Sequence, residues 1–204
     1  MIEISTIEVG TLQTNCYVVS KNGVAFIVDP GAEAQVVKEH CDKHSLTVVG
    51  ILLTHGHYDH SGAVKELQQL TDAKIYATKD CITLANSMKS LAFAFGASIN
   101  KFTADLTIKD GDHIIIGDMN IQVVATPGHT QGGVSYIVED NIFTGDTLFQ
   151  TSYGRTDLPT GDAEALEKSI KKLFALDGEY KVYPGHGAPT TLDTERKHNI
   201  INFQ

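Results

Sequence analysis

An α/β sandwich of αββα type, two β-sheets packed face to face with helices on the outer faces, is the fold class this sequence predicts. Two observations predict it. Each half of the chain reads as strands followed by helices, and the apolar run over residues 48–53 reads as a strand buried on both faces. With 204 residues and 42% hydrophobic content, the chain is long enough to bury about two-thirds of its unfolded surface. One domain over residues 1–204 is therefore expected, and no internal repeat, low-complexity tract or linker interrupts it.

The elements follow in order. Residues 2–9, 16–20 and 24–28 are rich in β-branched side chains and separated by Gly or Asn turns, which predicts a meander of strands. Asp29-Pro30-Gly31 ends the third strand, and Val36, Val37 and Cys41 place a helix over residues 35–44. The buried strand 48–53 runs into Thr54-His55. A helix over 61–70 and a strand over 74–78 then put the first histidine cluster on a strand-to-helix turn, where open α/β folds hold ligands.

Residues 79–96 predict one long helix, with Ile82, Ala85, Met88 and Phe95 along one side and Gly96 as its stop. Phe93 and Phe95 in it read as packing, with an apolar wall over a cleft as the alternative. Two strand pairs follow over 113–126 and 134–148, turning at Gly117-Asp118 and Asp140-Asn141. Asp162 is placed to cap a helix ending at Leu176. A strand over 180–183 and a helix over 193–202 close the chain.

Composition excludes several function classes. The formal net charge of −9 argues against phosphate backbones and anionic membranes, so neither nucleic acid nor membrane is an expected partner. The first residues, Met1-Ile2-Glu3-Ile4-Ser5, lack the basic, apolar and cleavage regions of a secretory signal, and no window is apolar enough to span a bilayer. A cytoplasmic protein is expected. Cys16, Cys41 and Cys81 are odd in number and widely spaced, which fits reduced, packed thiols.

The chemistry concentrates at Thr54-His55-Gly56-His57-Tyr58-Asp59-His60-Ser61-Gly62. In extended chain His55 and His57 point the same way and can reach one ion, while Asp59 and His60 project elsewhere as the chain bends into the helix. Pro127-Gly128-His129, Thr144-Gly145-Asp146 and Pro184-Gly185-His186 each lie just past an apolar strand, with a glycine letting the next side chain approach closely. Asp29 is a candidate for orienting a ligand histidine, or a plain turn residue. His40, His44, His113 and His198 lack such context and read as surface or structural histidines.

The THxHxDHxG signature followed by PGH, TGD and PGH resembles the metallo-β-lactamase superfamily over nearly the whole chain. The resemblance implies two divalent metal ions, zinc first, with iron and manganese also suited to these donors. It assigns His55, His57 and His129 to one ion, Asp59, His60 and His186 to the other, and Asp146 to both. Asp59 and Asp146 are thus the candidate catalytic carboxylates, and a hydroxide between the ions the implied nucleophile. A non-enzymatic zinc module would be closed and would not need seven shared donors.

Within the superfamily, Gly154-Arg155-Thr156-Asp157 and Thr14-Asn15-Cys16-Tyr17 are similar to glyoxalase II-like enzymes, which hydrolyse hydroxyacylglutathione thioesters. Only residues 187–204 follow His186, which resembles the short glyoxalase II-like subgroup. The expected partner is a small thioester or ester. Persulfide dioxygenases share GRTD and use one iron on the first-site histidines, so they are the alternative, as is hydrolysis of another ester or lactone. Tyr153 and Arg155, between Asp146 and the next helix, are candidate substrate contacts; Arg155 and Asp157 pairing with each other is the competing reading.

Overall fold

The computed structural model describes residues 1–203. Strands β1 (Glu3–Val9), β2 (Thr14–Lys21) and β3 (Val24–Val28) form the expected antiparallel meander, and β4 (Thr47–Leu52), β5 (Lys74–Ala77) and β6 (Leu106–Thr107) continue it in parallel. This sheet has six strands in sequence order. The second half supplies β7 (His113–Ile116), β8 (Met119–Ala125), β9 (Val134–Val138) and β10 (Asn141–Gly145). A short hairpin of β11 (Leu148–Phe149) and β12 (Ser152–Tyr153) precedes β13 (Lys181–Pro184) and β14 (Thr190–Thr191). The second sheet runs β14-β13-β10-β9-β8-β7, with β13 parallel to β10.

Period-two alternation explains the layers. Tyr17, Val19, Phe26 and Val28 meet Ile121, Val123, Tyr136 and Phe143 of the other sheet. Their neighbours Cys16, Val18, Ala25 and Ile27 face the opposite way, onto α1 (Ala34–Lys43) and, past the short α2 (Tyr58–Ser61), α3 (Val64–Thr71). These strands are therefore apolar at consecutive positions, and each large side chain contributes about 1.5–3 kcal/mol by burial. After α4 (Lys79–Ala85), α5 (Ala163–Phe174) and α6 (Leu192–His198) cover the second sheet, with Leu166, Ile170, Leu173 and Leu192 against Ile137 and Ile142. Four layers, αββα, result.

The cap of α5 is as expected: the Asp162 carboxylate accepts from the Ala165 N–H at 2.9 Å. Cys16, Cys41 and Cys81 are buried and unpaired. The single helix expected over 79–96 is not formed. It ends at Ala85, and two 3₁₀ turns, Met88–Ser90 and Ala92–Phe95, follow. Asn86 and Ser87 end it: Asn86 exchanges hydrogen bonds with the Phe102 backbone, and Ser87 Oγ accepts from Lys89 N–H. Short polar side chains of this kind compete with the helical ladder.

The helix expected from residue 61 begins earlier, at Tyr58, pauses at Gly62 and resumes at Val64. The closing helix ends at His198, with a 3₁₀ turn over Ile200–Phe203. Among the described residues no helix is long and apolar enough to cross a membrane.

Candidate metal centre

The loops after β3, β4, β8, β10 and β13 carry, in turn, Asp29, Thr54 to His60, His129, Asp146 and His186. The fold brings all of them to one end of the sandwich, although His55 and His186 are 131 positions apart in the chain. Two groups of donors form there, His55 with His57 and His129, and Asp59 with His60 and His186. The family resemblance assigns the same residues to the same two groups.

Spacing within the groups is that of ligands around an ion. Zinc-bound nitrogens at about 2.0–2.1 Å lie about 3.3 Å apart in a tetrahedron. His60 Nε2 is 3.3 Å from His186 Nε2, and His186 Nε2 is 3.3 Å from Asp59 Oδ2. Asp146 stands between the groups, with Oδ2 3.5 Å from His129 Nε2 and 3.6 Å from His186 Nε2, and Oδ1 3.3 Å from His60 Nε2. His57 Nδ1 and His129 Nε2 are closer, at 2.9 Å.

Orphaned atoms test whether an ion fits. The Nε2 atoms of His55 and His57 are buried with no hydrogen-bond partner among the described residues. Leaving a buried polar atom unpaired costs about 1–3 kcal/mol. Thr54 Oγ1 donates to Asp29 and so accepts from His55 Nδ1 at 3.1 Å, which leaves the lone pair on His55 Nε2. Burial and the neighbouring imidazoles push His55 well below the usual histidine range and His57 down to about 4. Both rings are therefore neutral at pH 7, the form that binds a metal. The donors fit.

The second group is balanced by charge. Burial opposes the charge on His60, but Asp59 and Asp146 hold its imidazole protonated well above the usual range. His186 is also raised, against burial, by its hydrogen bond to Asp59 and by Asp146. In return His60 holds Asp59 and Asp146 below the ordinary carboxylate range despite their burial.

A third group, Asp29 with His55 and His60, also brings its donors together. Hydrogen bonds already satisfy it. Asp29 accepts from Thr54 N–H at 2.7 Å, from Thr54 Oγ1 at 2.5 Å and from His60 Nδ1 at 2.9 Å. Of its two sequence readings, the geometry is that of a carboxylate orienting a ligand histidine.

With this geometry in view, comparison with known proteins is informative: the model of the metallo-β-lactamase superfamily matches residues 9–186. The chain belongs to that superfamily. It is 36% identical over 197 residues to the probable metallo-hydrolase YqgX of Bacillus subtilis, covering 94% of this chain and 93% of that protein. It is also 36% identical over 208 residues to the hydroxyacylglutathione hydrolase GloC of Haemophilus influenzae, covering 97% of each.

Among solved structures, the BLEG-1 B3 metallo-β-lactamase superposes with a TM-score of 0.91 at 35% identity, over 97% of this chain and 98% of that one. TTHA1623 in a di-iron-bound form gives 0.87 at 34% identity, over 96% and 98%. The chain is thus a metal-dependent hydrolase of the metallo-β-lactamase superfamily.

The short motifs at residues 14–17 and 154–157 help to build the centre. Thr14 Oγ1 donates to Asp59 at 3.2 Å, Asn15 Nδ2 donates to the carbonyls of Pro184 and Gly187, and Tyr17 donates to that of Pro184. They clamp the loop that carries His186, whose Nδ1 reaches the Leu12 carbonyl. In Gly154-Arg155-Thr156-Asp157, the Arg155 carbonyl accepts from His129 Nδ1 at 2.7 Å and so turns Nε2 toward the centre. Gly154 is required for close approach: a Cβ there would lie 1.8 Å from the Asp146 carbonyl. At Gly185 a Cβ would lie 2.2 Å from Asp146 Oδ1.

The metal donors open into a cleft of about 690 Å³. Tyr153 and Arg155 line it, as expected, but the Arg155 guanidinium is also bonded to Asp157 through Nε and Nη2, each at 2.6 Å. Leu12, Phe149 and Leu158 line it too and carry no sequence signal, since they meet only through the fold. Of the 79–96 segment, Leu91 and Phe95 form part of the wall, so Phe95 takes the alternative reading.

The hairpin of β11 and β12 is braced from behind by α6. Buried Glu195 accepts from Thr151 N–H, Thr190 Oγ1 and Asn199 Nδ2 at 2.9, 2.7 and 2.7 Å. Glu195→Ala leaves the Thr151 and Thr190 donors unpaired and Asn199 Nδ2 with the Ser152 carbonyl, and is expected to cost about 3 kcal/mol, read as a lower Tm or denaturation midpoint. Glu195→Gln, which keeps one acceptor oxygen, is expected to lose less.

Proposed function

We propose that the protein hydrolyses thioesters, the bond that glyoxalase II-like enzymes cleave, with two divalent metal ions. The observation that carries this reading is Asp146, whose carboxylate lies within 3.6 Å of histidine nitrogens from both donor groups. His55, His57 and His129 would hold one ion, and Asp59, His60 and His186 the other, with Asp146 between them. Zinc is the ion proposed; the same donors serve iron and manganese. The thioester part is supported by the likeness to GloC.

When bound, the ions supply a water acidified to near neutral pH and a Lewis acid for the acyl oxygen. The chain's own residues do the rest. Asp59 and Asp146 fix the spacing of the donor groups and accept from an attacking water. Asp29, Thr54 and the Arg155 carbonyl lock the histidine rings so that their lone pairs converge. Tyr153 and Arg155 contact the substrate from the cleft wall. A thiolate leaves without a strong acid.

The test is a hydrolysis screen of acyl-glutathione, acyl-CoA and simple lactones, with metal quantified in the same sample. Two metal equivalents and preferential thioester cleavage are expected. One iron per chain with oxygen uptake on glutathione persulfide, or preference for lactones, would overturn the reading.

Metal uptake should also carry a proton signature. At pH 7 His55 and His57 are neutral, whereas His60 and His186 retain protons to higher pH. Filling the second group must expel those protons, so its affinity is expected to fall as pH drops through the raised range of His60 and His186, before the first group is affected. Calorimetry in buffers of different ionisation enthalpy reads the protons released. Equal release for both equivalents would contradict this order.

A further inference from the structure

Resting on the thioester reading above, we propose that the cleft selects neutral, apolar acyl groups and gives the thiol carrier no ionic anchor. Apart from the metal donors, its lining is Leu12, Leu91, Phe95, Phe149 and Leu158, with Ser152, Tyr153 and Arg155. These apolar side chains come from separate segments and converge on one mouth. Leu12 is 49% exposed and Phe95 37% exposed there, so a ligand would cover apolar surface that now faces water. Phe95 is held by stacking on Tyr58 at 6.2 Å, and Leu91 by a left-handed backbone at φ 68°.

The apolar wall reaches the reacting end, since the Phe149 ring lies 6.3 Å from that of His186. An acyl chain can therefore lie along it with its carbonyl at the donors. Recognition of a charged carrier needs the opposite lining. Glutathione brings two carboxylates and coenzyme A several phosphate charges, which cationic side chains bind by charge-assisted hydrogen bonds. Among the described residues Arg155 is the one arginine or lysine lining the cleft, and two of its donors are committed to Asp157. The chain as a whole carries −9.

Non-hydrolysable thioethers test this on the metal-loaded protein by calorimetry, independently of turnover. S-hexyl-N-acetylcysteamine is expected to bind at least as tightly as S-hexylglutathione, with Kd falling about fourfold per methylene from ethyl to hexyl. Leu12→Asn, a substitution in an exposed turn, should weaken the hexyl compound several-fold and the ethyl one by less than about twofold. A preference of about tenfold or more for S-hexylglutathione, or a Kd independent of chain length, would overturn the proposal.

Matching thioesters are assayed in parallel. The expected binding pattern with no thioester cleaved would overturn the thioester reading and leave the apolar selection standing. Cleavage with a clear preference for glutathione would do the reverse.

Discussion

Asp146→Ala is expected to take the protein from two metal equivalents to one or fewer and to lower kcat by about 10³-fold. Its carboxylate lies within 3.6 Å of histidine nitrogens from both donor groups. Its loss also removes a negative charge from beside His60, His129 and His186, so the centre attracts a cation less. Asp146→Asn keeps the volume, and Gly185 still leaves it room, but the neutral amide binds a cation poorly. Both variants should thus lose metal and turnover together while melting cooperatively. Elemental analysis showing two equivalents with unchanged kcat would refute a bridging role.

The donor residues were legible in the sequence because their chemistry is local. Imidazoles at His55, His57 and His60 within one turn, and glycines before His129, Asp146 and His186, are unusual in any other setting. The layers were legible for a similar reason: each half of the chain reads as strands followed by helices, and the run over residues 48–53 is apolar at consecutive positions, as a strand covered on both faces must be. Helix length after Lys79 was not, because spacing of Ile82, Ala85 and Met88 suits a helix while Asn86 and Ser87 divert the backbone.

Other features depend on which atoms meet, and that is not a property of residue type. Arg155 draws attention by its charge, yet its carbonyl is what positions His129. Thr14, Asn15 and Tyr17 resemble a substrate-type motif, yet each reaches Asp59 or the loop that carries His186. Motif likeness to glyoxalase II is consequently weaker evidence for a substrate than for a way of building the centre. Cleft side chains such as Leu12, Phe149 and Leu158 are the better place to look for specificity.

Asp29→Ala is expected to have the second large effect, this time on stability as well as on metal. The carboxylate is buried at the end of β3 and accepts three hydrogen bonds, from Thr54 N–H, Thr54 Oγ1 and His60 Nδ1. Deleting it strands the Thr54 donors and a charged imidazole, which is expected to cost about 3–5 kcal/mol. His60 is then free to turn, so affinity for the ion of its group should fall about 10–100-fold.

Asp29→Asn separates the two effects. An amide oxygen can still accept from Thr54 N–H, so most of the stability is expected to survive. Thr54 Oγ1 and His60 Nδ1 both donate to Oδ2, which the amide nitrogen replaces, so neither keeps its acceptor and His60 is no longer held with its proton on Nδ1 and its lone pair on Nε2 when metal binds. Near-normal melting with weakened uptake of one metal equivalent is the expected result. Uptake as tight as in the unaltered protein would mean that Asp29 acts only as a brace for the β3 and β4 ends.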